Sequence, residues 1–157
     1  MPIRFVKPTT ALVHRIADNM RGEDAAEVWA ASHHTPLESL LASWAASEFC
    51  TVALSAEGEP LVMFGLVRRD LVSDRGVIWM LGADTSRAHK KEFLLQTPKV
   101  ISQMLLVCRR LHNMVHSKNR ASLRWLRWLG FTILPPRPHG PDGELFHEFY
   151  IERGADV

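Results

Sequence analysis

Arginine and tryptophan interleave near the C-terminal third of the chain, where Arg124 and Arg127 alternate with Trp125 and Trp128. Guanidinium groups contact phosphates and indoles stack on bases, so this spacing could serve nucleic-acid binding. On a helix the same residues could instead turn Trp125 inward while the arginines reach outward, with Trp128 partly exposed. The pattern sits in a wider basic window. Between Arg87 and Arg127 ten Lys and Arg face one acid, Glu92, a net of +9, while the remaining residues carry −7. The formal total of +2 conceals this split, and the distribution is what bears on partners.

Other chemistry-bearing types are less organised. Of eight histidines, His112 and His116 are four apart, but Asn113-Met114-Val115 between them reads as strand entry, so a shared helical face is not implied. Cys50 and Cys108 lie in apolar segments without a partner at zinc spacing, and no metal site is expected. Two cysteines cannot make a disulfide scaffold, which makes a reducing compartment the default. No Gly-x-Ser-x-Gly elbow and no Walker-type loop is present, so hydrolase and nucleoside-triphosphatase readings have no support. Asp84 follows an apolar strand-like run, where a turn or cap is the ordinary role. The run Arg87, His89, Lys90, Lys91 reads first as a solvated loop.

The elements that must position these residues follow from periodicity. With 157 residues, 46% hydrophobic and 23% charged, the chain is one globular domain, 1–157. No apolar run reaches the ~18 residues a membrane span needs, and Met1–Lys7 lacks a signal-peptide core. Ile3–Lys7 opens as a short strand. Helical stretches follow, one capped by Thr9 or Thr10, one after Gly22, and one at Thr35-Pro36-Leu37-Glu38, where threonine, proline and glutamate form a capping box. Phe49–Leu54 and Leu61–Arg68 make a hairpin around Glu57–Pro60, and Ser73–Gly76 turns into a strand at Val77–Ala83. Thr97-Pro98 predicts another helix start, ahead of the buried stripe Val100, Ile101, Met104, Leu105, Cys108 and Leu111. Asn113–His116 is a short strand and Arg120–Leu129 a helix that Asn119 can cap and Gly130 stops. Phe131–Leu134 is a strand, Pro135–Gly143 a surface loop, and Leu145–Glu152 a last strand. The sum is a mixed α/β sheet flanked by helices.

Asn119, Ser122, Trp125, Leu129, Gly130 and Phe131 fall on a spacing that resembles the strand–helix–strand ending of the GNAT acetyltransferase family. The order of elements fits that fold over roughly the whole chain. Glu59-Pro60-Leu61, Trp79-Met80-Leu81-Gly82, Trp125–Phe131 and Gly140-Pro141-Asp142-Gly143 together look like GNAT-like proteins of tailed bacteriophages resembling internal virion protein A. The resemblance implies a sheet splayed near Val77–Ala83 and Asn113–His116, with acetyl-CoA as the possible cofactor and no metal.

Two departures from the family bear on chemistry. Its glycine-rich pyrophosphate loop, where backbone N–H groups approach phosphate closely, corresponds to Ala83–Lys91, which has no glycine. Its general-acid tyrosine corresponds to Leu126, which cannot protonate a leaving thiolate; the one tyrosine is Tyr150. By resemblance, Arg87, His89, Lys90 and Lys91 could hold phosphates through charge, Asn119 would lie near the pantetheine arm, and Asp84 is the candidate base. Two functions follow. One is a virion component, internal or structural, with degraded acetyltransferase motifs, in contact with other virion proteins. The other is an acetyl-CoA-dependent N-acetyltransferase acting on a host or phage acceptor protein. Either would work in the virion or the bacterial host cytoplasm, without a membrane span, and nucleic acid is the minor alternative partner.

Overall fold

A computed structural model describes residues 3–68, 72 and 74–154; Ser73 of the expected turn lies outside the described residues. The chain runs β1 (Arg4–Val6), α1 (Thr10–Asp18), α2 (Gly22–Ser32), α3 (Pro36–Ala46), β2 (Phe49–Leu54), β3 (Pro60–Val67) and β4 (Arg75–Gly82). A 3-10 turn over Asp84–His89 leads into α4 (Lys90–Val107), followed by β5 (Arg110–His116), α5 (Arg120–Trp128), β6 (Thr132–Ile133), β7 (Arg137–His139) and β8 (Glu144–Glu152). One mixed sheet has the order β1-β2-β3-β4-β5-β8-β6, with β7 also on β8. Helices α1 to α3 cover one face, where Val13, Ile16, Val28 and Leu40 pack on Val52, Met63 and Leu81. On the other face α4 buries Phe93 and Met104 against Val62, Phe64 and Leu111, and α5 buries Leu123 and Leu126 against Val115, Phe131 and Phe149.

Local chemistry explains the starts of α1, α3 and α5. Thr9 Oγ1 accepts from Leu12 N–H at 3.2 Å. At α3 the Thr35 hydroxyl accepts from Glu38 N–H at 3.2 Å while Glu38 returns a bond to Thr35 N–H at 2.9 Å. Such a cap contributes about 1 kcal/mol. Asn119 Oδ1 accepts from Ser122 N–H at the start of α5.

Two expectations are corrected. Thr97-Pro98 does not begin a helix; α4 starts at Lys90 and carries Pro98 in its interior. Proline forfeits one helical hydrogen bond, but Thr97 Oγ1 donates back to the Phe93 carbonyl at 2.6 Å, and the burial of Phe93 and Met104 on either side of the proline holds the helix together. Pro135–Gly143 is not only loop. Arg137–His139 pairs with Glu144–Phe146 as a hairpin closed by Gly140–Gly143, because β8 has a free edge there that β6 leaves uncovered.

Candidate functional site

Strands β4 and β5 are parallel and paired only where Arg75–Val77 meet Arg110–His112. Beyond that point they part, and the exposed edge of β4 finds other partners. Asn113 Nδ2–H donates to the Ile78 carbonyl at 2.6 Å, replacing a backbone donor. At the far end the chain between α1 and α2 wedges in: Met20 bridges Ala83, Arg21 N–H donates to the Gly82 carbonyl at 2.9 Å, and Asp84 N–H donates to the Asn19 carbonyl at 2.8 Å. Strand alternation puts the Met80 amide on this same edge, between Ile78 and Gly82, where the ladder to β5 has ended.

Two carboxylates from α2, one helical turn apart, reach the ends of both splayed strands. Asp24 Oδ2 accepts from Gly82 N–H of β4 at 2.8 Å, and Glu27 Oε1 accepts from His116 N–H of β5 at 2.8 Å. Between them Asn119 Nδ2 lies 3.4 Å from each carboxylate. The Arg21 guanidinium is 3.7 Å from Asp24. Burial raises the Asp24 carboxyl above its ordinary value, opposed mainly by Arg21. Burial also pushes Glu27 up to about 7, against the hydrogen bonds from His116 and Asn119. Glu27 Oε2 makes no hydrogen bond to a described residue. Glu27 is thus anchored by one oxygen and free at the other, with a proton affinity matched to neutral pH.

A cavity of about 270 Å³ opens between the parted strands. Its wall draws on both layers: Glu27, Val28 and Ala31 of α2 and Ser39 and Ser43 of α3 on one side, Thr97 and Ile101 of α4 and Ser122 and Trp125 of α5 on the other. Ile78 to Leu81 and Asn113 to Val115 form the gap itself. The cavity therefore passes through the sheet. Trp125 presents an indole Nε1–H that is buried and has no hydrogen-bond partner. By contrast, Trp79 Nε1–H donates to Ser47 Oγ at 2.8 Å. The β7–β8 hairpin closes the α2 side, with His139 on the cavity wall and Asp142 2.8 Å from His33 Nε2. Gly140 makes this closure feasible: its φ is +84°, and a Cβ there would lie 2.2 Å from the Ala30 carbonyl oxygen.

The residues singled out from sequence are dispersed. Asp84 is exposed and 3.4 Å from Arg87 Nε; it is not part of the cavity wall. Arg87 is held by Glu23 at 2.6 Å, and its guanidinium keeps Glu23 down at about 2. His89 Nδ1 is 2.8 Å from Glu92. Lys90 and Lys91 are exposed in the first turn of α4, without an ion pair to a described residue. Asn119 is fully buried beneath the two carboxylates. Leu126 packs into the α5 cluster, and burial raises both cysteine thiols, Cys50 to about 11. Glu27, Asp24 and the Trp125 N–H are the polar groups that sequence reasoning missed. In sequence, Glu23, Asp24 and Glu27 look like ordinary acids near a helix N-terminus; only their i, i+3 spacing beside Val28 hinted at an inward pair.

No family model matches the sequence, and no curated protein does. Solved structures match closely in shape. A spermidine N-acetyltransferase from Vibrio cholerae, in complex with CoA and spermine, superposes with a TM-score of 0.71 at 11% identity, over 96% of this chain and 95% of that one. A GNAT-superfamily phosphinothricin acetyltransferase from Sinorhizobium meliloti, in complex with acetyl-CoA, gives 0.71 at 14% identity over 98% and 90%. A GCN5-related N-acetyltransferase from Kribbella flavida gives 0.64 at 16% identity over 96% and 98%. The fold is that of the GNAT acetyltransferases. No helix among the described residues is long and apolar enough to cross a membrane.

Proposed function

We propose that this protein is an acyl-CoA-dependent N-acyltransferase in which Glu27 takes the proton of the acceptor amine. The observation that carries this reading is Glu27 itself, a carboxylate with one oxygen anchored and one free on the wall of a cavity that traverses the sheet. A base with a proton affinity near the ambient pH is both ionised often enough and basic enough to accept the proton. Amine would enter from the α2–α3 side, where Ser39 and Ser43 offer hydroxyls.

The residues present fit an acyl-thioester arm in the gap. The walls are largely apolar, the Trp125 N–H lacks a partner, and the edge of β4 carries the Met80 amide there. The thioester, when bound, supplies an activated acyl group, so positioning does most of the remaining work. The phosphate end departs from the family. In place of a glycine loop there is a 3-10 turn whose Arg87 is tied to Glu23, leaving Lys90 and Lys91, unpaired with any described residue, as cations for that end. Asp84, committed to Arg87, is the weaker candidate for the base. The absence of a glycine cradle favours the second reading, a GNAT fold that has lost turnover; a place in a phage particle rests on the sequence resemblance alone.

Calorimetric titration with acetyl-CoA, followed by a free-thiol release assay over a panel of small amines and peptide amino termini, separates these readings. Saturable binding and turnover are expected, with Glu27→Gln lowering kcat by about 100-fold while acetyl-CoA affinity holds. Binding without turnover on any amine would leave the non-catalytic reading, and no binding at all would remove both the cofactor and the activity.

A further inference from the structure

We propose that the Trp125 indole N–H is a hydrogen-bond donor to a carbonyl oxygen of the acyl-CoA held between β4 and β5; this rests on the acyltransferase reading above. Trp125 Nε1 is the one buried side-chain polar atom among the described residues that lacks a partner. Leaving a donor buried and unsatisfied is costly, and folded proteins rarely do so without a reason. The indole of Trp79, by contrast, donates to the hydroxyl of Ser47. Trp125 instead ends on the wall of the through-sheet cavity, on the face opposite Glu27.

The chemistry of the group narrows what it meets. An indole nitrogen donates and cannot accept, so it has nothing to offer an ammonium, and the amine belongs on the Glu27 side. Its partner must be an oxygen acceptor on a largely apolar molecule. A thioester arm brings such acceptors, its thioester carbonyl and its amide carbonyls. The neighbouring Leu126 is apolar and buried, so α5 supplies a hydrogen bond at this point but no transferable proton. The N–H orients and polarises the ligand, and the departing thiolate takes its proton from solvent.

The test uses protein with 15N-labelled tryptophan side chains, the Trp125 Hε1 resonance being assigned through its own side-chain-to-backbone connectivities. Acetyl-CoA should move that resonance downfield and slow its exchange with water. Trp125→Phe, which keeps an aromatic side chain but deletes the N–H along with the five-membered ring, should weaken acetyl-CoA binding about 5-fold. Repeating the comparison with S-ethyl-CoA, which lacks the thioester carbonyl, locates the acceptor. A penalty that vanishes assigns the thioester oxygen, and one that persists while S-ethyl-CoA still moves the Trp125 Hε1 resonance assigns a pantetheine amide. Acetyl-CoA that binds and shifts other resonances while leaving Trp125 Hε1 unchanged would overturn the proposal and leave the acyltransferase reading standing. Absence of any shift at millimolar acetyl-CoA would overturn both.

Discussion

Glu27 carries opposite demands on its two oxygens. Oε1 is fixed by the His116 amide and by Asn119, bonds that favour the ionised form, while burial favours the neutral form and wins, raising the group from 4.5 to about 7. A raised carboxyl stabilises the fold fully below its ordinary value, and that contribution is lost as pH rises through about 7. The shift corresponds to about 3 kcal/mol as an upper bound. Glu27→Gln keeps an oxygen for His116 and cannot titrate. In urea unfolding, the variant should therefore match wild type near pH 4.5 and become more stable than it by about pH 8. A difference that stays constant across that range would mean Glu27 does not titrate where its surroundings put it. Asn119 illustrates a partial reading at the same scale. Its place as the cap of α5 followed from its spacing, and the structure bears that out. Its contact with two buried acids from α2 could not be foreseen, because those acids are 95 and 92 residues away in the chain.

Helix α2 is the element on which the site turns. Its N-terminal half delivers Asp24 and Glu27 to the parted strands, and its C-terminal end is gripped by the β7–β8 hairpin through His33 and Asp142. The grip requires glycine at 140. Gly140→Ala should lower stability by at least about 2 kcal/mol, combining the left-handed penalty with a clash against the Ala30 carbonyl. Gly58→Ala is the control, since Gly58 has the same φ of +84° but open space around it. Its cost should be about 1 kcal/mol. Thermal melts of the two variants that coincide would show that the close approach to α2 contributes nothing. The hairpin was legible as a proline- and glycine-rich stretch but not as a strand, because only the free edge of β8 makes Arg137–His139 extended.

At the scale of the molecule, the charge split seen in the sequence takes on a location. The basic window begins at the 3-10 turn, runs through α4 and β5, and ends on α5, whose outer face leaves Arg120, Arg124 and Arg127 exposed. Part of it is already neutralised, Arg87 by Glu23 and Arg110 by Glu152. Lys90 and Lys91 pair with no described residue. Lys90→Glu with Lys91→Glu should weaken acetyl-CoA about 10-fold at low salt and less at high salt, because exposed charges are screened. Unchanged affinity would mean the phosphates lie elsewhere. Trp128, 59% exposed beside these arginines, keeps the indole available that a nucleic-acid reading would need, and Trp128→Ala titrated with single-stranded DNA measures that alternative.

What the sequence determined alone were features set by neighbours in the chain: the threonine and asparagine caps, the α4 stripe through Val100, Ile101, Met104 and Leu105, and the strand–helix–strand ending that pointed to the fold. Those signals are local, and 3.6- and 2-residue periods report them directly. Pro98 misled because tertiary burial outweighed a local breaker. The site was decided by the tertiary structure. Only the parting of β4 from β5 exposes amides for Asp24 and Glu27 to satisfy, and only the depth of that gap raises one carboxyl to near neutrality and strands one indole N–H. Separation along the chain hides such groups from one another, and burial, which gives them their chemistry, exists only once the layers have closed.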